Sequence, residues 1–360
     1  MWELFKRLTL GLALIAACSA ILLYSDRGAR KGSLAERSGP VPVALVQFAS
    51  VAALDDGVRG VIAALADRGY SDGGKIRLQR FNAEGDVAMA NTIARTVTSG
   101  EFELIVTIST NSLQTVANAN QSAHPIRHVF GVVSDPYSAG VGIDPEDHRK
   151  HPKHLAGYGC MPPSREVFEL ARQMNPKLKR VGLVWNPAES NSVANTKVGR
   201  SVCADLGIEL IEANAENAAA VIESTQAVIS RGAEAIWLSG DVTSIQAADA
   251  LIATAMKSGV PVFSVLPGKV RSGTLFDFGG DYVEIGRTLG DLAADVLEGK
   301  PTADVPVENR LPTLLLLNEK IIPQLRGTWS FPPDVRKESA GVITAAGEQL
   351  PERFRTPVAK

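Results

Sequence analysis

The sequence predicts an α/β protein made of two doubly wound Rossmann-like lobes, and three observations carry that prediction. Short apolar runs of strand length alternate with segments of helical periodicity from Val43 to Val265. The alternation runs once from Val43 to Val133 and again from Gly157 to Val265, with the irregular stretch Val141–His154 between. Many of the apolar runs end in hydroxyl, amide or carboxylate residues that start the next helix, as parallel strands feeding crossover helices require.

Each element follows from its residues. Val43–Val46 is a strand, and Leu54–Arg68 is a helix with Val58, Ile62 and Leu65 on one face, stopped at Gly69. A strand over Ile76–Phe81 runs into the turn Asn82–Asp86, where Asp86 can cap a helix over Val87–Thr98. Leu104–Val106 is a buried strand that turns through Ser109, Thr110 and Asn111 into a helix bearing Leu113, Val116 and Ala117. Val129–Val133 leads to the turn Ser134-Asp135-Pro136. In the second unit, helices over Ser164–Met174, Ala218–Ser230 and Ile245–Lys257 alternate with strands over Val181–Trp185, Ile208–Ala213, Ala235–Leu238 and Val260–Val265. A further helix follows Asn186–Ser192 and runs through Cys203. Thr274–Gly279 is a short strand and Asp281–Leu297 a long helix; Pro301–Val307 and Thr313–Leu317 read as connecting strands and Asn318–Leu325 as a short helix.

The turn Ser109–Asn111 organises the rest. A strand that feeds a helix through hydroxyls and an amide gathers free backbone N–H groups at the carboxyl edge of the sheet, where open α/β folds bind ligands, and suits a carboxylate. Taken alone, helix capping is the commoner use of such residues.

With 360 residues, 45% apolar and 21% charged, the chain can fill two cores. A net charge of −2 gives no electrostatic footprint for nucleic acid. Cys18, Cys160 and Cys203 are too few for a disulfide framework or a zinc site, and Cys160 and Cys203 read as separate buried thiols. His148, His151 and His154 lie in a basic segment that disfavours a cation and read as a solvated loop. A Walker A loop, a full GxGxxG, a GxSxG elbow and an HExxH helix are all lacking, so no enzyme and no cofactor is expected.

The N-terminus signals export: Lys6-Arg7 precede an apolar run from Leu8 to Tyr24. Two versions stay open. Ile15-Ala16-Ala17-Cys18 resembles a lipobox with Cys18 lipidated, while the run is nearly long enough for an uncleaved membrane anchor. Both place the body outside the cytoplasmic membrane and tethered to it. Residues 1–25 are then the signal or anchor segment and 26–40 a linker, which leaves no room for the DNA-binding headpiece of a two-lobed repressor.

Several motifs in order carry a family resemblance. Gln47-Phe48 precedes Leu54-Asp55; Asn82–Asp86 forms an Asn-Ala-x-Gly-Asp turn; Ile108–Gln114 holds the Ser-Thr-Asn turn. Asp135–Gly140 is a complete Asp-Pro-x-x-Ala-Gly, Asn186–Ser192 a complete Asn-x-x-Glu-x-Asn-Ser, and Gly279–Gly286 a Gly-x-Asp-Tyr-x-x-x-Gly. From about Val43 to about Leu325 the chain resembles the ABC-transporter substrate-binding proteins of the tryptophan/tyrosine-binding type.

The resemblance implies a type I periplasmic-binding-protein fold: two lobes, a three-crossover hinge and a ligand in the cleft. The first lobe would span 41–156, completed by about 275–300; the second would span 157–270, with about 305–325 returning across the hinge. Residues 326–360, rich in Pro and charge without periodicity, read as a tail.

It further implies capture of an aromatic amino acid or similar small amphipathic ligand for delivery to an ABC permease in the membrane. By position, Ser109, Thr110 and Asn111 would bind the ligand's carboxylate, and Asn186, Ser190 and Asn191 would do similar work from the second lobe. Asp241 would meet its ammonium, with Asp277 or Asp281 in reserve. Gln47 and Phe48 would line the side-chain pocket, and Asp135 belongs to the same set through its Asp-Pro turn. Asn111 stands where the family usually has Pro, the 148–154 loop replaces a short turn, and Trp185 and Phe276 are expected near the pocket. A membrane-anchored sensory ectodomain of the same fold is the alternative reading.

Overall fold

The computed structural model describes residues 39–354 and forms two α/β lobes joined by three crossings of the chain. The anchor or lipidation reading of residues 8–24 and Cys18 lies outside the described residues. Among those described, no helix is long and apolar enough to cross a membrane.

The first lobe is built on β1 (Val41–Gln47), β2 (Ile76–Asn82), β3 (Leu104–Ile108), β4 (Arg127–Val133), β5 (Leu155–Gly159) and the short β11 (Glu308–Asn309). Their order is β11-β5-β4-β3-β1-β2, all parallel. Every residue of β3 is buried, as expected of a central strand covered on both faces. Helices α1 (Ala52–Asp67), α2 (Val87–Val97) and α3 (Thr110–Ala119) connect the strands.

The second lobe carries β6 (Arg180–Trp185), β7 (Glu209–Asn214), β8 (Ala235–Leu238), β9 (Val262–Ser264), β10 (Phe276–Gly280), β12 (Thr313–Asn318), β13 (Gly341–Thr344) and β14 (Gly347–Gln349). The order is β14-β13-β12-β10-β9-β8-β6-β7; β7 to β10 run parallel, and β12 turns antiparallel against β10. Its helices are α4 (Ser164–Met174), α5 (Ser190–Leu206), α6 (Ala218–Ser230), the one-turn α7 (Val242–Gln246) and α8 (Ala248–Lys257). In both lobes the chain reverses direction across the sheet, at β1/β3 and at β6/β8, and such switch points open a crevice at the strands' carboxyl ends.

The last long helix, α9 (Tyr282–Leu297), follows a strand of the second lobe yet packs on the first, against α1. Glycines allow the approach. A Cβ on Gly60 would lie 2.1 Å from the Val283 carbonyl oxygen, and one on Gly286 would lie 2.1 Å from that of Gly57. The chain therefore crosses between lobes three times: after Gly159, at Gly280–Tyr282, and between Asn309 and Thr313. The crossings are tied to one another. The Asp281 N–H donates to the Pro312 carbonyl (2.7 Å), Arg310 N–H to that of Gly159 (2.8 Å), and Met161 N–H to Asn309 Oδ1 (2.7 Å).

Some expectations change here. Residues 276–280, counted with the first lobe, pair within the second sheet, so the division falls at Asp281. Pro301–Val307 is not a strand but contains a 3-10 turn over Thr302–Asp304, and strand pairing begins at Glu308. Residues 326–354 are not a tail: helix α10 (Pro333–Glu338) and the hairpin β13–β14 extend the second sheet from β12. Trp329, Val335 and Val342 are buried in that lobe's core. The segment's few apolar residues are spread over short elements, too short to show periodicity.

The His-rich loop is pinned to the first lobe. His148 stacks on Tyr137 with ring centroids 5.0 Å apart, and His151 Nε2 sits 2.9 Å from the Val305 carbonyl oxygen. Phe276 and Trp185, expected near the pocket, belong to the second-lobe core, where Phe276 stacks on Phe263 at 5.4 Å.

Candidate functional site

The carboxyl ends of β3 and β4 face those of β6 and β8 across the interlobe cleft. In the first lobe β3 ends at Ile108, and Ser109 takes the positive φ of 105° that glycine usually supplies. Its Oγ accepts from the Ser112 N–H (3.2 Å), and its own N–H donates to the Gly131 carbonyl (3.2 Å). Thr110 and Asn111, in the first turn of α3, have N–H groups with no carbonyl a turn behind them in the helix. On the neighbouring strand Val132 also has a positive φ, 56°, where the β4–β5 register shifts between Phe130 and Val133. For a β-branched residue this is strain of about 1–3 kcal/mol, of the kind that collects at binding sites.

The second lobe presents a helix N-terminus too, but its own carboxylates occupy it. Glu189, buried, accepts from the N–H groups of Val242 (2.9 Å) and Thr243 (3.0 Å) and from Thr243 Oγ1 (2.6 Å). Asp241, fully buried, accepts from Ser244 N–H (2.8 Å) and Ser192 Oγ (3.3 Å). Burial, then the nearby Glu189 charge, hold the Asp241 carboxyl well above the usual carboxylate range. Asn186 braces the same corner, donating from Nδ2 to Thr243 Oγ1 (2.9 Å) and accepting from Ala188 N–H (2.9 Å).

Between these walls lies a cavity of ≈ 40 Å³. Ser109, Thr110, Asn111 and Ser134 line it from the first lobe, and Asn191, Gly240, Val242 and Ile245 from the second. Val51, Ala53 and Leu54 at the start of α1, with Cys160 and Tyr282 at the crossings, make an apolar flank. None of its lining residues is Asp, Glu, Lys, Arg or His. Asn191 Oδ1 is buried and has no hydrogen-bond partner among the described residues. Across the cleft mouth Ser190 Oγ donates to Gln114 Oε1 (3.1 Å), one lobe to the other.

Of the residues expected from sequence, the structure brings Ser109, Thr110, Asn111 and Asn191 together around this cavity; Ser190, Asn186 and Asp241 stand at its edge or behind it. The others lie elsewhere. Gln47 donates to Asp55 Oδ1 (2.6 Å) and the Ala49 carbonyl (2.8 Å) and lines a separate groove with Arg80 and Asn82. Phe48 is buried in the first-lobe core. Asp135 accepts from Tyr137 N–H (3.0 Å) and lines, with Ser190, a separate groove of ≈ 780 Å³ walled by both lobes. Asp277 is fully buried and held by Ser264 Oγ (2.6 Å), Thr274 Oγ1 (2.6 Å) and Val270 N–H (2.7 Å); burial pushes it up to about 7. Asp281 caps α9 and pairs with Arg353. Cys160 and Cys203 are free and buried, and burial pushes both thiols up to about 12.

Sequence reasoning missed Val132, Tyr282 and Glu189. Tyr282 belongs to the Gly279–Gly286 motif and Glu189 is the acidic member of Asn186–Ser192; a carboxylate before a Ser-Asn-Ser run is the available signal.

A model of the family described as "ABC transporter substrate binding protein" matches residues 42–330. The chain is similar to a tyrosine-binding protein of Clostridioides difficile, 28% identical over 283 residues, covering 79% of this chain and 80% of that one. Among solved structures, a conserved domain protein of Vibrio cholerae superposes with a TM-score of 0.79 at 28% identity, covering 84% of this chain and 100% of that one. The ABC domain from Streptococcus pneumonia in complex with L-Trp superposes at 0.75 and 23% identity, with the same coverage, and bears on the fold alone.

Proposed function

We propose that this chain, which belongs to the ABC transporter substrate binding protein family, captures a small amphipathic solute in the interlobe cleft, an aromatic amino acid or a close analogue, for an ABC importer. The observation that carries the reading is the pairing across the cleft of two kinds of polar group. The α3 N-terminus offers the Thr110 and Asn111 N–H groups beside three hydroxyls, and Asn191, on the opposite wall, has an Oδ1 without a hydrogen-bond partner among the described residues. The first group suits a carboxylate, the second a hydrogen-bond donor such as an ammonium. The apolar flank at Val51, Leu54 and Tyr282 suits a hydrocarbon or aromatic portion.

Asp241 then acts on the ligand at one remove, by holding α7 and the Gly240–Val242 backbone against the cleft. The relative named for tyrosine supports an aromatic ligand. The mature protein would work outside the cytoplasmic membrane, tethered through residues 8–24 or a lipid on Cys18, and close on its ligand about the three crossings.

Isothermal titration of the purified protein with L-tryptophan, L-tyrosine and L-phenylalanine tests the proposal. Saturable one-site binding of at least one, without turnover, is expected; absence of saturable heat with all three would count against it.

A further inference from the structure

The cleft cavity does not end at its apolar flank. Ala53, Ile245 and Tyr282 are shared with a second cavity of ≈ 470 Å³ on their far side. A space of ≈ 40 Å³ holds little more than water, whereas 470 Å³ falls within the range of about 300–1,000 Å³ usual for small-molecule pockets. Both lobes wall the larger one: Asp56 and Arg59 from α1, and Asp249 with the Leu266–Ser272 loop from the second lobe. Arg353 and Phe354 complete it.

Those last two residues come from beyond the family match, which stops at residue 330. The extension is anchored along its length. β13 pairs with β12, Leu350 is buried with Val270 and Ile343, and Phe354 packs against that cluster. Arg353 reaches Asp281, the cap of α9 at the second crossing.

The walls carry four cations, Arg59, Lys269, Arg271 and Arg353, and two carboxylates, Asp56 and Asp249. Each cation is balanced by a carboxylate, but Arg271 and Arg353 line the space without their partners, Glu348 and Asp281. They stand above a floor made apolar by Leu266, Pro267 and Phe354.

We infer that the cleft has two chambers, and that the C-terminal extension builds the second to receive an anionic group at the far end of a ligand whose head sits at Ser109–Asn111. Arg353 is the specificity-determining residue. This rests on the ligand-binding reading of the first chamber.

Three probes of one skeleton test it by calorimetry on the full chain: L-tyrosine, O-methyl-L-tyrosine and O-phospho-L-tyrosine. The phosphate ester binds about tenfold or more tighter than the methyl ether, as one charge-assisted contact gives. Arg353→Gln erases that advantage. Asp281→Asn breaks the same ion pair but keeps the guanidinium, so it preserves the advantage and controls for loosening of the hinge. The inference is overturned if the ester binds no tighter than the ether, if its advantage survives Arg353→Gln, or if Asp281→Asn abolishes it equally. Ester binding that needs Arg353 while tyrosine fails would keep the second chamber and overturn the expectation that an unmodified aromatic amino acid is bound. Tyrosine binding with no ester preference would do the reverse, and silence from all three would overturn both.

Discussion

In the first lobe the turn after β3 brings Thr110 and Asn111 N–H groups and short hydroxyls to the cleft. In the second lobe the turn after β8 brings the same kind of helix start to the opposite wall, but Glu189 and Asp241 take the N–H groups of Val242, Thr243 and Ser244. One helix terminus leaves the N–H groups of its first turn facing the cavity, and the other spends them on the protein's own carboxylates. The difference is electrostatic. A helix N-terminus favours an anion by about 0.3–1 kcal/mol when exposed and up to about 2 kcal/mol when partly buried. With Glu189 already at α7, a ligand's negative end would, on the proposed reading, go to the first lobe and its hydrogen-bond donors to the second.

The strongest way to break this asymmetry is to give the first lobe a carboxylate of its own. Thr110→Asp is expected to weaken binding of an aromatic amino acid about 100-fold or more, because charge-assisted hydrogen bonds worth about 1.5–3 kcal/mol each are replaced by repulsion. Titration calorimetry reads the loss, and circular dichroism checks that the fold survives.

The converse change removes a carboxylate from the second lobe. Glu189→Gln is expected to cost about 2 kcal/mol of stability, since a buried charge accepting two backbone N–H groups becomes a neutral amide. Denaturant unfolding measures it. A variant as stable as the parent would show that the stopper does not hold α7. Asp241, relieved of its neighbour's charge, would also titrate lower.

A smaller effect sharpens the comparison through pH. Asp241 and Asp277, both in the second lobe, have carboxyls raised in the fold, Asp277 to about 7, against about 3.9 in an unfolded chain. Between those values the folded protein holds protons that the unfolded chain has released, so the stability they contribute is present at low pH and is lost as pH rises toward 7. Between pH 6 and 7 the Asp277 share is about 1 kcal/mol. Unfolding curves of the parent and Asp277→Asn across that range check it: the parent loses stability and the variant loses less. Parallel curves would mean that Asp277 is ionised throughout, held so by the two hydroxyls and the N–H around it.

Much of this was legible in the residues. The alternation of strand and helix signals gave both lobes, because burial of a parallel sheet on two faces forces continuous apolar runs such as Leu104-Ile105-Val106. The turn at Ser109–Asn111 was legible because N-caps act locally, within three residues of sequence. Asp241 looked like a ligand contact by its place at a strand end, but a side chain's direction depends on what encloses it, and Ser192 on another element turns it inward.

The sequence by itself determined the two-lobed α/β architecture, the strand-to-helix turns and the chemistry of the first-lobe wall, since each follows from periodicity and capping over a few residues. The tertiary structure alone decided which carboxylates are spent inside the protein, that α9 crosses to the first lobe on Gly60 and Gly286, and that Arg353 returns to Asp281. Those outcomes join residues dozens to hundreds of positions apart, and contacts of that range are fixed by packing and by the charge each burial brings together, not by local pattern.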